Sequence, residues 1–397
     1  MTHSIVDPIV IVGAARTPMG SFQGEFSSLA AHDLGGAAIK AAVARAGIAP
    51  DAVNEVLFGN CLMAGQGQAP ARQAGFKGGL PISAGAVTMS KMCGSGMRAA
   101  MFGHDMLLAG SADVVVVGGM ESMTNAPYLL QKARGGYRIG HDRVMDHMML
   151  DGLEDAYEAG RSMGTFGEDC AAKYGFTREQ QDNFAITSVK RAQAATQSGA
   201  FAPEITPVTV KGRAGDTVIA TDEAPGKVKL EKIPTLKPAF KKDGTITAAS
   251  SSSISDGAAA MVLMRASTAA KLGLKPLAKI VSHAVHAQEP NWFATAPVGA
   301  VKKALDKAGW SVKDVDLWEV NEAFAVVPMA LMHDLDVSHD IVNVNGGACA
   351  LGHPIGCSGA RIMVTLMYAL QARGLKKGVA TLCIGGGEGT AVALEML

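Results

Sequence analysis

Short apolar runs alternate with an alanine-rich amphipathic segment at the start of the chain. Ile9–Val12 and Glu55–Phe58 are predicted strands, and Ala30–Ala46 between them is a predicted helix that ends at Gly47. Brief apolar runs are typical of buried strands, and a glycine directly after a periodic segment is typical of a helix end. This alternation of strands and helices predicts a layered α/β core.

The same pattern recurs in the second half of the chain. Residues 39–58 align without gaps on residues 301–320. Two further pairs of segments follow in the same order, Ser95–Arg98 with Ser358–Arg361 and the apolar run Val114–Val117 with Thr381–Ile384. A solenoid would need a shorter period and at least three copies, so the sequence predicts two copies of one α/β unit.

The segment between the two copies has a different pattern. It holds a predicted helix near Thr177–Ser198 and a turn-rich tract from Gly212 to Lys242. Long insertions on a rigid scaffold often carry substrate contacts, although a purely structural excursion is the alternative. We therefore divide the chain into an N-terminal half of residues 1–123 and 253–275, an inserted loop domain of residues 124–252, and a C-terminal half of residues 276–397.

Composition and charge narrow the class of protein. Lys plus Arg and Asp plus Glu each total 36 in 397 residues, which disfavours nucleic acid as the main partner. The apolar runs are too short to span a membrane, and no basic segment precedes an apolar stretch at the start. We expect a soluble, cytoplasmic protein. The six cysteines are never spaced C-x-x-C, so disulfides and a zinc knuckle are not expected.

Cys93 stands where an apolar run gives way to Gly-Ser-Gly and then to the predicted helix Met97–Leu108. A thiolate at a helix N-terminus is stabilised by unpaired N–H groups and by the helix dipole, and the glycines admit a substrate. The pattern resembles a nucleophile elbow with sulfur in place of a hydroxyl. A small thiol packed at a tight turn is the alternative.

Three residues of the second copy are candidates for acid–base and oxyanion chemistry. His353 lies between glycines three residues before Gly356, the position that pairs with Cys93 in the repeat, and is a candidate base. Cys383 ends an apolar run beside a glycine loop, where a thiol can transfer a proton, although a buried strand cysteine is the alternative. Asn321 follows the predicted strand Val315–Val320 and either orients an oxygen or only makes a turn.

Four of these segments together resemble a known family. Cys-Gly-Ser-Gly, Asn-Glu-Ala-Phe-Ala, Gly-His-Pro-Ile-Gly and Cys-Ile-Gly-Gly-Gly, in this order, are similar to the motifs of thiolases, the acyl-CoA acetyltransferase branch of the thiolase superfamily. The resemblance covers essentially the whole chain. It implies two βαβαβαββ halves in a five-layered αβαβα core, an inserted loop domain that holds coenzyme A, and a dimer or tetramer of identical chains.

The resemblance also implies roles for individual residues. Cys93 would be the acylated nucleophile, His353 the base that activates it, and Cys383 the acid and base at the α-carbon of the substrate. Asn321 would anchor the water of one oxyanion hole, and the N–H groups of Cys93 and Gly385 would form a second. Acyl-CoA and coenzyme A would be the substrates, in fatty acid metabolism, without metal, nicotinamide, flavin or another cofactor.

Contacts to coenzyme A are implied for Ser252, Met163 and Leu153. Four residues or segments depart from the family pattern, either near these coenzyme A contacts or in the nucleophile loop. They are Ser90 in place of asparagine, Ser162 in place of histidine, Glu388 in place of methionine or glutamine, and the lack of an arginine in residues 224–229. These departures leave open the affinity for coenzyme A and the acyl preference.

Three rival functions have weaker support in the sequence. A ketoacyl synthase would carry a second histidine in place of Asn321, and a nucleotide-binding module has only the weak signal of Val10–Arg16, which is not G-x-G-x-x-G. A non-catalytic scaffold would lack a selectively reactive thiol at Cys93. The sequence leaves open the acyl chain length, the physiological direction, and the choice between dimer and tetramer.

Overall fold

The computed structural model describes residues 7–213 and 215–397. Its strands are β1 (Ile9–Arg16), β2 (Gly20–Ser21), β3 (Glu55–Gly59), β4 (Gly85–Met89), β5 (Val114–Ser122), β6 (Tyr128–Leu129), β7 (Met145–Asp146), β8 (Val208–Val210), β9 (Thr217–Ile219), β10 (Ser255–Arg265), β11 (Ala278–Ala287), β12 (Leu317–Val320), β13 (Lys377–Ile384) and β14 (Glu388–Met396). Its helices are α1 (Ala31–Ala46), α2 (Pro70–Lys77), α3 (Ser95–Leu108), α4 (Met163–Tyr174), α5 (Arg178–Ser198), α6 (Ala266–Lys271), α7 (Ala296–Ala308), α8 (Val326–Leu335), α9 (Ala348–Leu351) and α10 (Ile355–Arg373).

The main sheet is two repeated units joined at a short seam. Its strands run in the order β12, β13, β14, β11, β1, β10, β5, β3, β4. At the seam β1 and β11 share only two residue pairs, Val10 with Lys279 and Ile11 with Ala278. On either side of it the order β1, β10, β5, β3 is repeated as β11, β14, β13, β12. The counterpart of β4 is reduced to a single bridge between Trp318 and Val342.

Helices form three layers around the two parts of the sheet. α1 and α2 pack on the outer face of the first half, and α7 and α8 pack on the outer face of the second. α3 and α10 pack against each other between the halves, and α10 contacts strands of both. The predicted five-layered αβαβα core is therefore confirmed.

Glycines allow the two central helices to approach closely. A Cβ on Gly359 of α10 would lie 2.5 Å from the backbone nitrogen of Met97, and a Cβ on Gly96 of α3 would lie 2.9 Å from the nitrogen of Ala360. These are the glycines of the Ser-Gly-x-Arg segments that the repeat matches. The crossing brings the N-termini of the two helices, and the loops before them, to one place.

The insertion contributes helices α4 and α5. Thr177 caps α5 by accepting from the N–H of Gln180, whose side chain accepts in return from the N–H of Thr177, so the predicted helix is confirmed. The turn-rich tract from Gly212 to Lys242 contains β9 and short 3₁₀ turns, with Ala214 outside the described residues. Residues 1–6, the predicted start of the N-terminal half, are also outside them, and the domain boundaries stay a prediction. Among the described residues, no helix combines the length and apolar character that a membrane crossing requires.

Candidate active site

Cys93 lies on a tight loop between β4 and α3. The preceding Met92 has a φ of 46°, in the left-handed region that a non-glycine residue rarely adopts. The Ser95 hydroxyl fastens the loop by accepting from the N–H of Lys91 at 2.7 Å and donating to the carbonyl of Met92 at 2.6 Å. A Cβ on Gly94 would lie 2.5 Å from Ile384 of β13, so the loop rests on the second half. The predicted strand–turn–helix setting is present.

Burial governs the ionisation of this thiol. Desolvation raises the pKa of Cys93 to about 11, and the Glu121 carboxylate adds to the rise. The backbone N–H groups of Gly385 and of Cys93 itself favour the thiolate and so lower the pKa, but by less than burial raises it. The expected stabilisation of a thiolate at the helix N-terminus is thus outweighed by burial, and the thiol needs a base to ionise at neutral pH.

His353 precedes α10 and is held in one orientation. Its Nδ1 is 2.5 Å from the Ser358 hydroxyl, and that hydroxyl donates to the Pro354 carbonyl at 2.9 Å. Because the single hydroxyl proton is used there, Nδ1 carries the imidazole proton and donates it, which leaves a lone pair on Nε2. Nε2 has no hydrogen-bond partner in the described part of the chain.

The imidazole is neutral at physiological pH. Burial, with a smaller contribution from the Arg361 charge, lowers the pKa of His353 to about 3. A neutral ring with a free lone pair on Nε2 has the form that a general base requires. Ser358 fixes this tautomer, and the sequence marks it only as a member of the repeated Ser-Gly-x-Arg segment.

Cys383 is the last but one residue of β13 and is wholly buried. Burial raises the pKa of its thiol, and the nearby Cys93 raises it further, so the two sulfurs lie close enough to interact. Asn321 follows β12, and its backbone N–H donates to the carbonyl of Thr381 at 3.0 Å. Its buried amide nitrogen and oxygen both lack a partner among the described residues.

One apolar cavity brings most of the predicted residues together. Six of them line it: Cys93, His353, Gly385, Ser252, Met163 and Leu153. Six more lining residues were not predicted: Met92, Gly152, Phe293, Ala323, Phe324 and Ile355. Of these, Ala323 and Phe324 belong to the Asn-Glu-Ala-Phe-Ala motif that pointed to Asn321. Cys383 and Asn321 do not line the cavity.

The three predicted coenzyme A contacts come from separate elements of the insertion. Met163 is the first residue of α4, and its sulfur would lie 3.8 Å from a Cβ on Gly385. Leu153 ends the short π-helical turn Met149–Leu153. Ser252 donates through its hydroxyl to the carbonyl of Ala323 at 3.1 Å. The insertion therefore contributes Leu153, Met163 and Ser252 to the lining of the cavity.

The departures from the family pattern take distinct positions. Ser162 is the N-cap of α4 and accepts from the N–H of Gly164, and Ser90 is exposed. Glu388 forms an ion pair with Lys91 of the nucleophile loop. In residues 224–229, Pro225–Lys227 forms a 3₁₀ turn.

Comparisons with known proteins show the family of the chain. Residues 9–267 match the family model described as the thiolase N-terminal domain, and residues 274–396 match the thiolase C-terminal domain. The acetyl-CoA acetyltransferase of Rhizobium meliloti is 50% identical over 390 residues, which cover 98% of this chain and 99% of that protein. That of Chromobacterium violaceum is 49% identical over 389 residues, with the same coverage of 98% and 99%.

Solved structures give the same result. The crystal structure of the Bacillus anthracis acetyl-CoA acetyltransferase has a TM-score of 0.95 and 40% sequence identity, and the match covers 98% of this chain and 99% of that one. The acetyl-CoA acetyltransferase from Syntrophomonas wolfei also has a TM-score of 0.95, with 42% identity and coverage of 98% and 100%. The chain belongs to the thiolase family.

Proposed function

We propose that the chain is an acyl-CoA acetyltransferase. It catalyses the reversible Claisen condensation of acetyl-CoA with an acyl-CoA, and in reverse the coenzyme A-dependent thiolysis of a 3-ketoacyl-CoA. The observation that carries this proposal is the meeting of the Cys93 thiol, the free Nε2 side of His353 and the Gly385 N–H at one cavity. The names of the full-length relatives support the same activity.

The first half-reaction acylates Cys93. Nε2 of His353 accepts the Cys93 proton, and the sulfur attacks the thioester carbonyl. The N–H groups of Cys93 and Gly385 donate to the developing oxyanion. The carbon–sulfur bond to coenzyme A then breaks, and Cys383 gives its proton to the departing sulfur. Cys383 is left as a thiolate and His353 as an imidazolium.

The second half-reaction forms the carbon–carbon bond. The Cys383 thiolate removes a proton from the methyl group of the second acetyl-CoA. A thiolate with a raised pKa is a stronger base, as this weakly acidic position requires. The imidazolium of His353 and a water held by the amide of Asn321 stabilise the enolate oxygen, and the enolate carbon attacks the acyl group. Cys93 leaves as a thiolate and recovers its proton from His353.

The insertion holds the coenzyme A part of both substrates. The apolar wall with Leu153 and Met163 suits the pantetheine chain, and Ser252 supplies a hydroxyl for its amides. Coenzyme A thioesters are substrates in this scheme, and the chain's own side chains supply every proton transfer. A dimer or tetramer and a cytoplasmic location complete the proposal.

The test is the thiolysis of a series of 3-ketoacyl-CoA thioesters of increasing chain length. We expect coenzyme A-dependent cleavage of at least the four-carbon substrate, with acetyl-CoA as a product. Cys93→Ala should abolish cleavage at every length. Cleavage that persists in that variant would contradict the proposal, and so would inactivity of the unmodified protein toward the whole series.

A further inference from the structure

A second group of polar side chains lies away from the cavity, where the two halves of the chain meet. His104 and Asp105 are consecutive residues of α3 in the first half, and His283 is on β11 in the second. Nδ1 of His104 is 3.2 Å from Nε2 of His283, and each nitrogen contacts Oδ1 of Asp105, at 3.0 and 2.9 Å. Two imidazole nitrogens and one carboxylate oxygen, on two separate elements, therefore form a small triangle.

Hydrogen bonds alone satisfy only two sides of this triangle. If both imidazole nitrogens carry protons and donate to Asp105, two N–H groups face each other across the third side. If only one nitrogen is protonated, the lone pair of the other faces the carboxylate oxygen. In both cases two atoms with partial charges of the same sign lie about 3 Å apart and repel each other. This repulsion destabilises the folded chain, because the site is partly buried and water screens it poorly. A single cation at the centre makes all three contacts attractive.

The dimensions and the ligand types fit a transition-metal ion. Tetrahedral zinc has ligand bonds of about 2.0–2.2 Å, which separate neighbouring ligand atoms by about 3.3–3.6 Å. The observed sides of 2.9, 3.0 and 3.2 Å need an expansion of about 0.1–0.7 Å to reach these separations. Two imidazoles and one carboxylate are a common ligand set for zinc and its neighbours in the first transition series.

We propose that His104, Asp105 and His283 form a binding site for one divalent transition-metal ion of the zinc class. Asp105 is half exposed, with 52% of its side chain accessible, so water completes the coordination shell. His104 is buried, which fixes one ligand rigidly in the core. The site departs from the sequence-based expectation of a chain without metal.

The groups around the cluster suit this ion. The side chain of His283 is only 14% exposed, so its ring is held in place beside Asp105. The Lys307 ammonium donates to the backbone carbonyl of His283 at 2.9 Å and not to one of the three ligand atoms. Asp105 thus supplies the negative charge of the site.

The ion would act on structure and not on the reaction. α3 begins at Ser95, directly after the nucleophile loop, and His104 follows nine residues later, about 14 Å along the helix. Coordination would fasten the far end of this helix to β11 of the other half. The proposal is independent of the proposed function, because binding of the ion can be measured without any substrate.

The test is a calorimetric titration of the full chain with zinc chloride, after its accessible thiols have been alkylated with iodoacetamide so that they do not bind the ion. Asp105→Asn and His283→Gln each remove one ligand, and both side chains reach solvent. His333→Gln is the matched control, since His333 is an exposed histidine that also contacts an aspartate, Asp334.

We expect one zinc ion per chain, at least tenfold weaker binding in both ligand variants, and affinity within twofold of the unmodified chain in the control. Circular dichroism checks the fold of each variant, and Asp105→Asn decides alone if His283→Gln does not fold. The proposal is overturned if the unmodified chain shows no saturable binding, if a folded ligand variant binds within twofold of it, or if the control loses binding.

Discussion

Lys91 and Glu388 form an ion pair that joins the two halves of the chain beside the cavity. Lys91 lies two residues before Cys93, and Glu388 lies three residues after Gly385. The side chains are 21% and 34% exposed, so water screens the pair only in part. In the proposed mechanism the N–H groups of Cys93 and Gly385 form one oxyanion hole, and the ion pair ties together the two loops that carry them.

Removal of this ion pair should lower turnover more than stability. We expect Lys91→Met and Glu388→Gln each to reduce kcat by about two- to fivefold, because a partly exposed pair contributes up to about 1 kcal/mol. The exchange Lys91→Glu with Glu388→Lys should restore part of the loss. Lys279→Met is the control, since Lys279 pairs with Glu395 at similar exposure on β11 and β14. Equal losses in the control and the single variants would show a general effect of charge.

Ser358 should control the rate of acylation through the tautomer of His353. In Ser358→Ala the buried Nδ1–H loses its acceptor, at a cost of about 1–3 kcal/mol, and the orientation of Nε2 is no longer fixed. We expect the acylation burst with acetyl-CoA to slow by about tenfold or more. Thr177→Ala removes the N-cap of α5 and should reduce stability by about 1 kcal/mol while leaving the burst unchanged. An unaltered burst in Ser358→Ala would show that Ser358 does not control the rate of acylation.

The two cysteines should be separable by kinetics. Cys383→Ser replaces a thiol by a far weaker acid. Because coenzyme A can depart as a thiolate without receiving a proton, the variant should still acylate Cys93, while it loses most turnover and most deuterium exchange at the acetyl methyl group. His353→Ala should slow the burst itself. Rapid-quench measurement of the burst beside the steady-state rate tests both statements. Loss of the burst to the same extent in both variants, or normal turnover in Cys383→Ser, would show that the roles are assigned wrongly.

Acid should destabilise the chain partly through His353. Its pKa of about 3 in the folded state lies below the value near 6.5 of an unfolded histidine, so the unfolded state binds more protons between these values. The contribution of His353 to the free energy of unfolding is therefore fully present above pH 6.5 and is lost as the pH falls toward 3. Between pH 7 and pH 5 the loss is about 2 kcal/mol.

Urea unfolding of the unmodified chain and of His353→Gln at pH 7 and pH 5 measures this contribution. The variant should lose about 2 kcal/mol less than the unmodified chain over that interval. His339, whose pKa burial lowers to about 4, contributes in the same direction and remains in both proteins. The same pH dependence in the two proteins would mean that His353 is already able to bind a proton in the folded state.

The sequence predicted the fold because local patterns and global architecture agree in this chain. The repeat of Ser95–Arg98 in Ser358–Arg361 indicated two equivalent halves, and its glycines are where α3 and α10 cross. Cys93 and His353, which the motifs marked as candidates, both line one cavity. What the motifs could not predict depends on packing in three dimensions.

The ionisation of Cys93 is the clearest case of such a limit. A helix N-terminus favours a thiolate, but the extent of burial decides the pKa, and burial is set by residues far along the chain. Phe293 and Ile355 line the cavity without any motif that marks them. Likewise, no local pattern predicts the contact of His104 with His283, because 179 positions separate the two residues in the sequence.

The most direct test of the account is the location of the acetyl group after the unmodified chain is incubated with acetyl-CoA and digested at low pH. Peptide mass spectrometry should find one added acetyl group on the peptide that contains Cys93, and subsequent addition of coenzyme A should remove it. The same treatment of Cys93→Ala should leave every cysteine free. Acetylation confined to Cys383 or to another cysteine, or an acetyl group that coenzyme A does not remove, would contradict the central claim that Cys93 carries the acyl group.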